Sequence, residues 1–158
     1  MERAGMKIFD VTREIREDMQ VYKNKDTKRP KIEIIAAHEH HGIQESKFHI
    51  ESHTGTHIDS QVHFIKNGKS ILDIPPESFI SDCFVFDLTK IDGRITKQDL
   101  EKFEIRPKTF VLLKTKNSFD KIFNFNFIYL EKSGAKYLAD KKLLGVGIDA
   151  LGIEREQP

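Results

Sequence analysis

Short apolar runs alternate with polar segments along this chain, and the pattern predicts a domain built largely from strands. Five runs have the length and the apolar content of strands: Met6–Thr12, Lys31–Ala37, Ser81–Leu88, Thr109–Thr115 and Leu144–Ile148. We expect Thr109–Thr115 to be central and Leu144–Ile148 to be buried, because both are strongly apolar.

Two segments carry the end signals or the periodicity of helices. The sequence T-K-Q-D, beginning at Thr96, is close to a capping box and predicts a helix that extends to about Phe103. Glu131–Lys142 is amphipathic and predicts a second helix. Strands come first and then alternate with helices, an order that indicates an α/β domain with a mixed sheet.

Four side chains that bind metals or carry protons are concentrated in Ser52–Phe64, which reads S-H-T-G-T-H-I-D-S-Q-V-H-F; they are His53, His57, Asp59 and His63. Because all four have odd numbers, an extended strand would present them on one face and mainly apolar or hydroxyl side chains on the other. A helix would align His53 with His57 but would place Asp59 about 240° around from His53. We therefore predict a strand that runs into an irregular turn.

The residue types in this stretch suit a divalent transition metal. Two imidazoles and a carboxylate, from His53, His57 and Asp59, are good ligands for such an ion, zinc above all. Oxygen ligands alone would have favoured magnesium or calcium. His63 lies just beyond the three and is placed to move protons during hydrolysis. The alternative is that the histidines are ordinary polar surface groups. That explanation is adequate for any single histidine, but it is less adequate for four such groups on one face of a strand.

Other candidate groups have simpler explanations. The run H-E-H-H at His38–His41 lies outside the motif and before Gly42, so we predict an exposed loop. Cys83 lies in the apolar run D-C-F-V-F-D, so we predict a small buried core residue and not a nucleophile. Ser118–Leu130 is rich in aromatic side chains, for which packing in the core or in a subunit interface is favoured over lining a substrate pocket.

Composition excludes several functional classes. The chain has 158 residues, enough for one domain with a core, and its formal net charge of +1 gives no reason to expect nucleic acid as a partner. No apolar run approaches the roughly 20 residues of a membrane span, and the first residues lack the pattern of a signal peptide. A single cysteine allows no internal disulfide, which is consistent with the reducing cytoplasm.

The central motif, H-T-G-T-H-I-D-x-x-V-H-F, resembles the H-x-G-T-H-x-D-x-P-x-H-F signature of the metal-dependent cyclase-like hydrolases, the family of bacterial kynurenine formamidase and isatin hydrolase. Three flanking segments are similar to the first strand, the M-P-x-Y turn and the late G-V-G-I-D strand of that family: Ile8–Thr12, Asp18–Tyr22 and Gly145–Arg155. Gln20 and Gln61 stand where the family usually has proline.

The resemblance implies a swivelling β/α barrel-like fold in which the motif lines the mouth. It also implies that His53, His57 and Asp59 hold Zn²⁺, with Mn²⁺ as a second possibility, and that His63 is the catalytic residue. The implied reaction is metal-dependent hydrolysis of an amide, either an aryl formamide like N-formylkynurenine or a cyclic amide. The expected partners are a small-molecule substrate and further copies of the chain, in a cytoplasmic dimer or tetramer.

The resemblance extends over residues 1–158 as a single domain. The family carries a further histidine and glutamate beyond the position of Pro158, which help to hold a second metal, so we expect the C-terminal part of the family domain to be missing. Two explanations stay open. The sequence stops before the natural C terminus, or the protein is a metal-binding relative without catalytic activity.

Overall fold

The computed structural model describes residues 9–155, and within that range it contains seven strands and three helices. The strands are β1 (Lys31–Ala36), β2 (Glu45–His49), β3 (Cys83–Asp87), β4 (Arg94–Ile95), β5 (Phe110–Lys114), β6 (Tyr129–Leu130) and β7 (Gly145–Ile148). The helices are α1 (His38–His41), α2 (Lys97–Leu100) and α3 (Lys132–Asp140). Short 3-10 turns occur between them.

The described strands form one antiparallel sheet and two parallel sheets. β1 and β2 form an antiparallel hairpin, β3, β5 and β7 form a parallel sheet in that order, and β4 pairs with β6. β5 therefore lies at the centre of its sheet, which confirms the prediction for Thr109–Thr115. Parallel and antiparallel pairing both occur, which confirms the predicted α/β class. Each sheet among residues 9–155 is purely parallel or purely antiparallel, so the predicted mixing within one sheet is not observed there.

The core lies where the parallel sheet packs against α2 and α3. Val111 and Leu113 of β5 are fully buried, and Leu100 of α2 and Leu138 of α3 join them in one cluster. Burying an aliphatic side chain of this size stabilises a fold by about 1.5–3 kcal/mol relative to leaving it exposed. The position of this cluster explains why the second half of the chain is well packed.

The N-terminal ends of α2 and α3 are fixed by side-chain hydrogen bonds. The backbone amide and the hydroxyl of Thr96 donate to the Asp99 carboxylate at 2.9 and 2.6 Å, so the predicted capping box is present. α2 nevertheless ends at Leu100, earlier than predicted. Glu131 caps α3 by accepting a hydrogen bond of 2.9 Å from the Ser133 amide, which confirms the second helix.

Two predicted strands differ from the observed structure. Met6–Ile8 lie outside the described residues, and residues 9–12 are irregular because the Asp10 carboxylate accepts hydrogen bonds from Thr12 in a local turn. The strand predicted at Leu144–Ile148 is β7, but it is only half-buried. Its position at one edge of the parallel sheet accounts for that exposure.

Two smaller predictions also need correction. Cys83 is exposed, not buried, because it begins β3 at the other edge of the parallel sheet. The run His38–His41 is exposed as predicted but forms the short helix α1 instead of a loop. Gly42 ends this helix in the left-handed conformation, with φ of 72°.

The stretch from residue 37 to residue 85 differs from the rest of the described chain because none of its residues is buried. It contains the hairpin strand β2 and the whole histidine motif, and it exposes many large apolar side chains, including Phe48, Ile50, Ile58, Phe64 and Leu72. Separately, no helix of the described residues is long and apolar enough to cross a membrane.

Candidate metal centre

The histidine motif lies in a loop that follows the hairpin. β2 ends at His49, and the motif continues as turns up to a short 3-10 turn at Gln61–His63, so the prediction of a strand for Ser52–Phe64 is wrong. Gly55 adopts φ of 65°, in the left-handed region, and interrupts the extended chain. The odd numbering of these four residues therefore does not explain why their side chains lie close together. The folding of the loop brings them together.

Three of the predicted residues meet at one point in this loop. Nδ1 of His53 lies 2.9 Å from Oδ1 of Asp59 and 3.2 Å from Nε2 of His57, and that Nε2 lies 3.4 Å from the same Asp59 oxygen. Ligand atoms on a tetrahedral zinc ion, at bond lengths of about 2.0–2.1 Å, are roughly 3.3 Å apart. The spacing of these three atoms therefore fits a divalent metal. They form the one such group of His, Cys, Asp and Glu found among residues 9–155.

The orientation of His57 is set by the backbone of its own loop. Nδ1 of His57 lies 2.8 Å from the carbonyl oxygen of Gly55. A carbonyl only accepts, so we assign the ring proton to Nδ1, and the lone pair of Nε2 points towards His53 and Asp59. Contacts of this kind commonly fix the tautomer of metal-binding histidines.

His63 lies beside the three-residue cluster and is not one of its members. Its ring centroid is 4.1 Å from that of His53, with the rings tilted by 41°, and 4.2 Å from that of Phe64. The 3-10 turn at Gln61–His63 directs it there. The structure thus brings all four predicted side chains together, with three converging and the fourth adjacent.

The cluster is open to solvent. The side chains of His53 and Asp59 are 41% exposed, and that of His57 is 30% exposed. Neighbouring polar groups are engaged elsewhere: Glu51 pairs with Lys28 at 2.5 Å, and His49 lies 3.6 Å from Glu33. A cavity of about 650 Å³ lined by residues of α3 and β7 contains none of the four motif residues, so the assignment of this site rests on its side-chain geometry.

Contacts from the N-terminal segment support the motif loop, and sequence reasoning did not identify them. The backbone amide of Arg13 donates to the Thr56 hydroxyl at 2.9 Å. Side-chain atoms of Ile15 and Met19 lie 3.5 and 3.7 Å from the position that a Cβ atom on Gly55 would occupy. In the sequence, the segment around Met19 is notable only for its similarity to a turn of the family. Its residue types do not indicate which loop it contacts.

Comparison with known proteins gives matches in sequence and in structure. The family model described as putative cyclase matches residues 9–155. A kynurenine formamidase from Bacillus thuringiensis subsp. konkukian (strain 97-27) is 31% identical over 114 residues, which are 71% of this chain and 54% of the relative. The chain therefore spans about half the length of that relative.

Two solved structures are also similar. A potential metal-dependent hydrolase with cyclase activity is 47% identical, with a TM-score of 0.84 over 97% of this chain and 72% of that one. Isatin hydrolase A from Labrenzia aggregata is 23% identical, with a TM-score of 0.80 over 96% and 70% of the two chains. The second likeness supports the fold alone.

Proposed function

The chain belongs to the putative cyclase family, and from that premise we propose that it is a metal-dependent amidohydrolase. The observation that carries the proposal is the convergence of His53, His57 and Asp59 at metal-ligand spacing. The proposed substrates are amides attached to aromatic rings, either an aryl formamide like N-formylkynurenine or a cyclic amide like isatin. The aryl formamide is supported by the kynurenine formamidase relative. The cyclic amide follows from the family resemblance of the histidine motif.

His53, Asp59 and His57 would hold the ion through Nδ1, Oδ1 and Nε2, and Zn²⁺ suits this donor set best, with Mn²⁺ as the second choice. A divalent ion in such a site supplies Lewis-acid activation of water and of the substrate carbonyl. The Gly55 carbonyl keeps Nε2 of His57 directed at the site, so the ligand set is partly arranged in advance.

His63 is the proposed general base and acid. It lies against His53 and outside the ligand set, so its ring nitrogens are available to exchange protons with solvent and substrate. His63 takes a proton from the water whose oxygen attacks the carbonyl carbon. As the carbon–nitrogen bond breaks, it returns that proton to the departing nitrogen. The products are an amine and a carboxylic acid, which is formic acid for a formamide.

We also propose that further copies of the chain cover the exposed surface around the metal centre. A two-stranded hairpin is marginally stable on its own, and β1 and β2 pack mainly against each other. Exposed apolar side chains lie on both sides of the motif in sequence, between residues 37 and 85, and such side chains are the expected surface of a dimer or tetramer. Within such an assembly we propose that residues 1–158 act as one domain with the swivelling barrel-like arrangement of the family, in the cytoplasm.

A second candidate is a metal-binding protein without catalytic activity. The observation in its favour is that no further His, Cys, Asp or Glu joins the three ligands within residues 9–155. A second ion at this site would have few protein ligands and would bind weakly. This candidate would bind a metal at the same three residues as the amidohydrolase. It differs from the amidohydrolase only because it would not hydrolyse a substrate.

The two candidates are separated by an assay of the metal-loaded protein. Metal-free protein is reconstituted with Zn²⁺ or Mn²⁺ and incubated with N-formylkynurenine and with isatin. Hydrolysis that requires added metal and is lost in His63→Ala supports the amidohydrolase. Stoichiometric metal binding without hydrolysis of either amide supports the non-catalytic alternative.

A further inference from the structure

Residues 13–24, here called the connecting segment, lie between two parts of the molecule that are distant in sequence. On one side the connecting segment contacts the metal loop, through the Arg13 amide on the Thr56 hydroxyl and through Ile15 and Met19 beside Gly55. Met19 and Val21 are buried, so the segment is held firmly against the rest of the fold. A displacement of this segment would therefore reach the metal loop.

On its other side the connecting segment contacts residues 119–127, here called the aromatic segment. The side-chain amide of Asn24 donates to the Phe123 carbonyl at 3.1 Å and accepts from the Phe123 amide at 2.8 Å. The ring of Tyr22 lies edge-on to that of Phe123, with centroids 5.0 Å apart. These contacts anchor the buried ring of Phe123 and fix the backbone around it.

Gln20 joins the two sides directly. Its Oε1 accepts a hydrogen bond of 3.2 Å from Nη1 of Arg13, the residue whose amide holds Thr56. Its Nε2 donates to the carbonyl oxygen of Ile122 at 2.6 Å. A continuous chain of hydrogen bonds therefore runs from the metal loop through Arg13 and Gln20 to the aromatic segment.

The aromatic segment presents apolar side chains that the core does not use. Phe119, Ile122 and Phe125 are 70%, 69% and 61% exposed, whereas Phe123 and Phe127 are buried. Exposed apolar side chains grouped on one short segment are a common feature of binding surfaces. The hydrogen bond from Gln20 to the Ile122 carbonyl ties this surface to the connecting segment, beside the contacts that Asn24 and Tyr22 make with Phe123.

We propose that Gln20 is a positioning residue, which holds the aromatic segment at a fixed place relative to His53, His57 and Asp59 so that the segment binds the apolar part of the substrate. This inference rests on the proposed amide hydrolysis and adds a residue to it. A glutamine suits this role because its side-chain amide supplies both the donor and the acceptor that the two hydrogen bonds require.

The test compares three variants of the metal-loaded protein. Gln20→Leu removes both hydrogen bonds at similar size. Gln20→Glu keeps an acceptor for Arg13 but places a carboxylate against the Ile122 carbonyl. Gln98→Leu is the matched control, since Gln98 is an exposed residue of α2. Both variants lose the hydrogen bond to the Ile122 carbonyl. We therefore expect both to raise KM for N-formylkynurenine about tenfold, with kcat and metal content within about twofold of wild type.

A small substrate without a ring separates positioning from general damage. We expect the kcat/KM of N-formylglycine to be unchanged in both Gln20 variants, because it is too short to use the aromatic segment. An unchanged KM for N-formylkynurenine in Gln20→Leu, or an equal loss of kcat/KM for both substrates, overturns the inference.

The inference also has a readout that does not depend on turnover. If the wild-type protein hydrolyses neither substrate, isatin is titrated into the metal-free proteins and its dissociation constant is measured by calorimetry. Binding by wild type that weakens about tenfold in Gln20→Leu, but not in Gln98→Leu, supports the role of Gln20 although the proposed reaction has failed. Absence of binding by wild type overturns the inference.

Discussion

The carbonyl oxygen of Gly55 lies 2.8 Å from Nδ1 of His57, and this contact decides which nitrogen of His57 faces Asp59. The carbonyl is turned towards the ring because Gly55 adopts φ of 65°, a conformation that residues with a Cβ atom seldom adopt. One glycine therefore connects the backbone path of the loop to the tautomer of a proposed metal ligand.

Replacing Gly55 by alanine tests that connection. We expect Gly55→Ala to lower the free energy of unfolding by about 1–2 kcal/mol, the cost of a left-handed conformation for a residue with a Cβ atom. We also expect its affinity for Zn²⁺ to fall about tenfold or more, as is typical when a group that orients a ligand is disturbed. Chemical denaturation and a competition titration with a zinc chelator measure the two effects.

Gly42→Ala is the matched control for this variant. Gly42 adopts a similar φ of 72° and has no atom within 4 Å of the position of an added Cβ, but it lies at the end of α1. It should lose similar stability while keeping the zinc affinity of the wild type. Equal zinc affinity in both glycine variants would show that the Gly55 carbonyl does not orient His57.

His63 should be needed for chemistry and not for metal binding. We expect His63→Ala to retain its metal and to lose about 10²–10⁴-fold in kcat, the usual contribution of a general acid–base group. His40→Ala, a change on the exposed helix α1, is the control and should behave like wild type. Loss of metal together with activity in His63→Ala would identify His63 as a ligand.

The apolar surface around the motif should determine the oligomeric state. Phe48 is 60% exposed on β2, and a charge there would be buried unpaired in any interface between copies. We expect Phe48→Lys to convert a dimer or tetramer into smaller species in light scattering coupled to size-exclusion chromatography. Phe119→Lys, which alters a ring that is 70% exposed and lies outside residues 37–85, should keep the wild-type mass. A monomeric wild-type protein would contradict the proposal.

The capping box of α2 gives a prediction about pH. Burial raises the pKa of Asp99, but the hydrogen bonds from the Thr96 hydroxyl and amide outweigh it and leave the pKa below its ordinary value. A carboxyl group with a lowered folded pKa adds stability above its unfolded pKa of about 3.9, and that stability is lost as the pH falls through the folded value.

Thr96→Ala tests the capping box. We expect it to cost about 1 kcal/mol of unfolding free energy at pH 7 and less at pH 3, as measured by urea denaturation at both pH values. A destabilisation that is the same at both pH values would mean that the bond to the Asp99 carboxylate makes no contribution.

Residues with local signals were predictable from the sequence. The central position of β5 follows from its apolar run, and the start of α2 follows from Thr96 and Asp99, because both depend on neighbours along the chain. The exposure of Cys83 was not predictable, because it depends on the order of strands in the sheet. The identity of the edge strands is a property of the whole fold.

At the candidate metal centre the predicted residues are correct, but the structural reason given for their convergence is wrong. His53, His57 and Asp59 do converge, but in a loop and not along a strand. The residue types revealed the chemistry, whereas the left-handed Gly55 and the contact with Arg13 decide the geometry. In the sequence Gln20 is only a departure from the family signature, which does not indicate its role, because its two partners lie in segments that only the fold brings together.

The metal content of the purified protein tests the central claim most directly. Elemental analysis after gel filtration should find about one zinc or manganese ion per chain in wild type and almost none in Asp59→Ala, which removes one of three ligands. Asp26→Ala, which removes an exposed carboxylate paired with Arg29, should retain the wild-type content. Equal metal content in wild type and Asp59→Ala would contradict the assignment of this site.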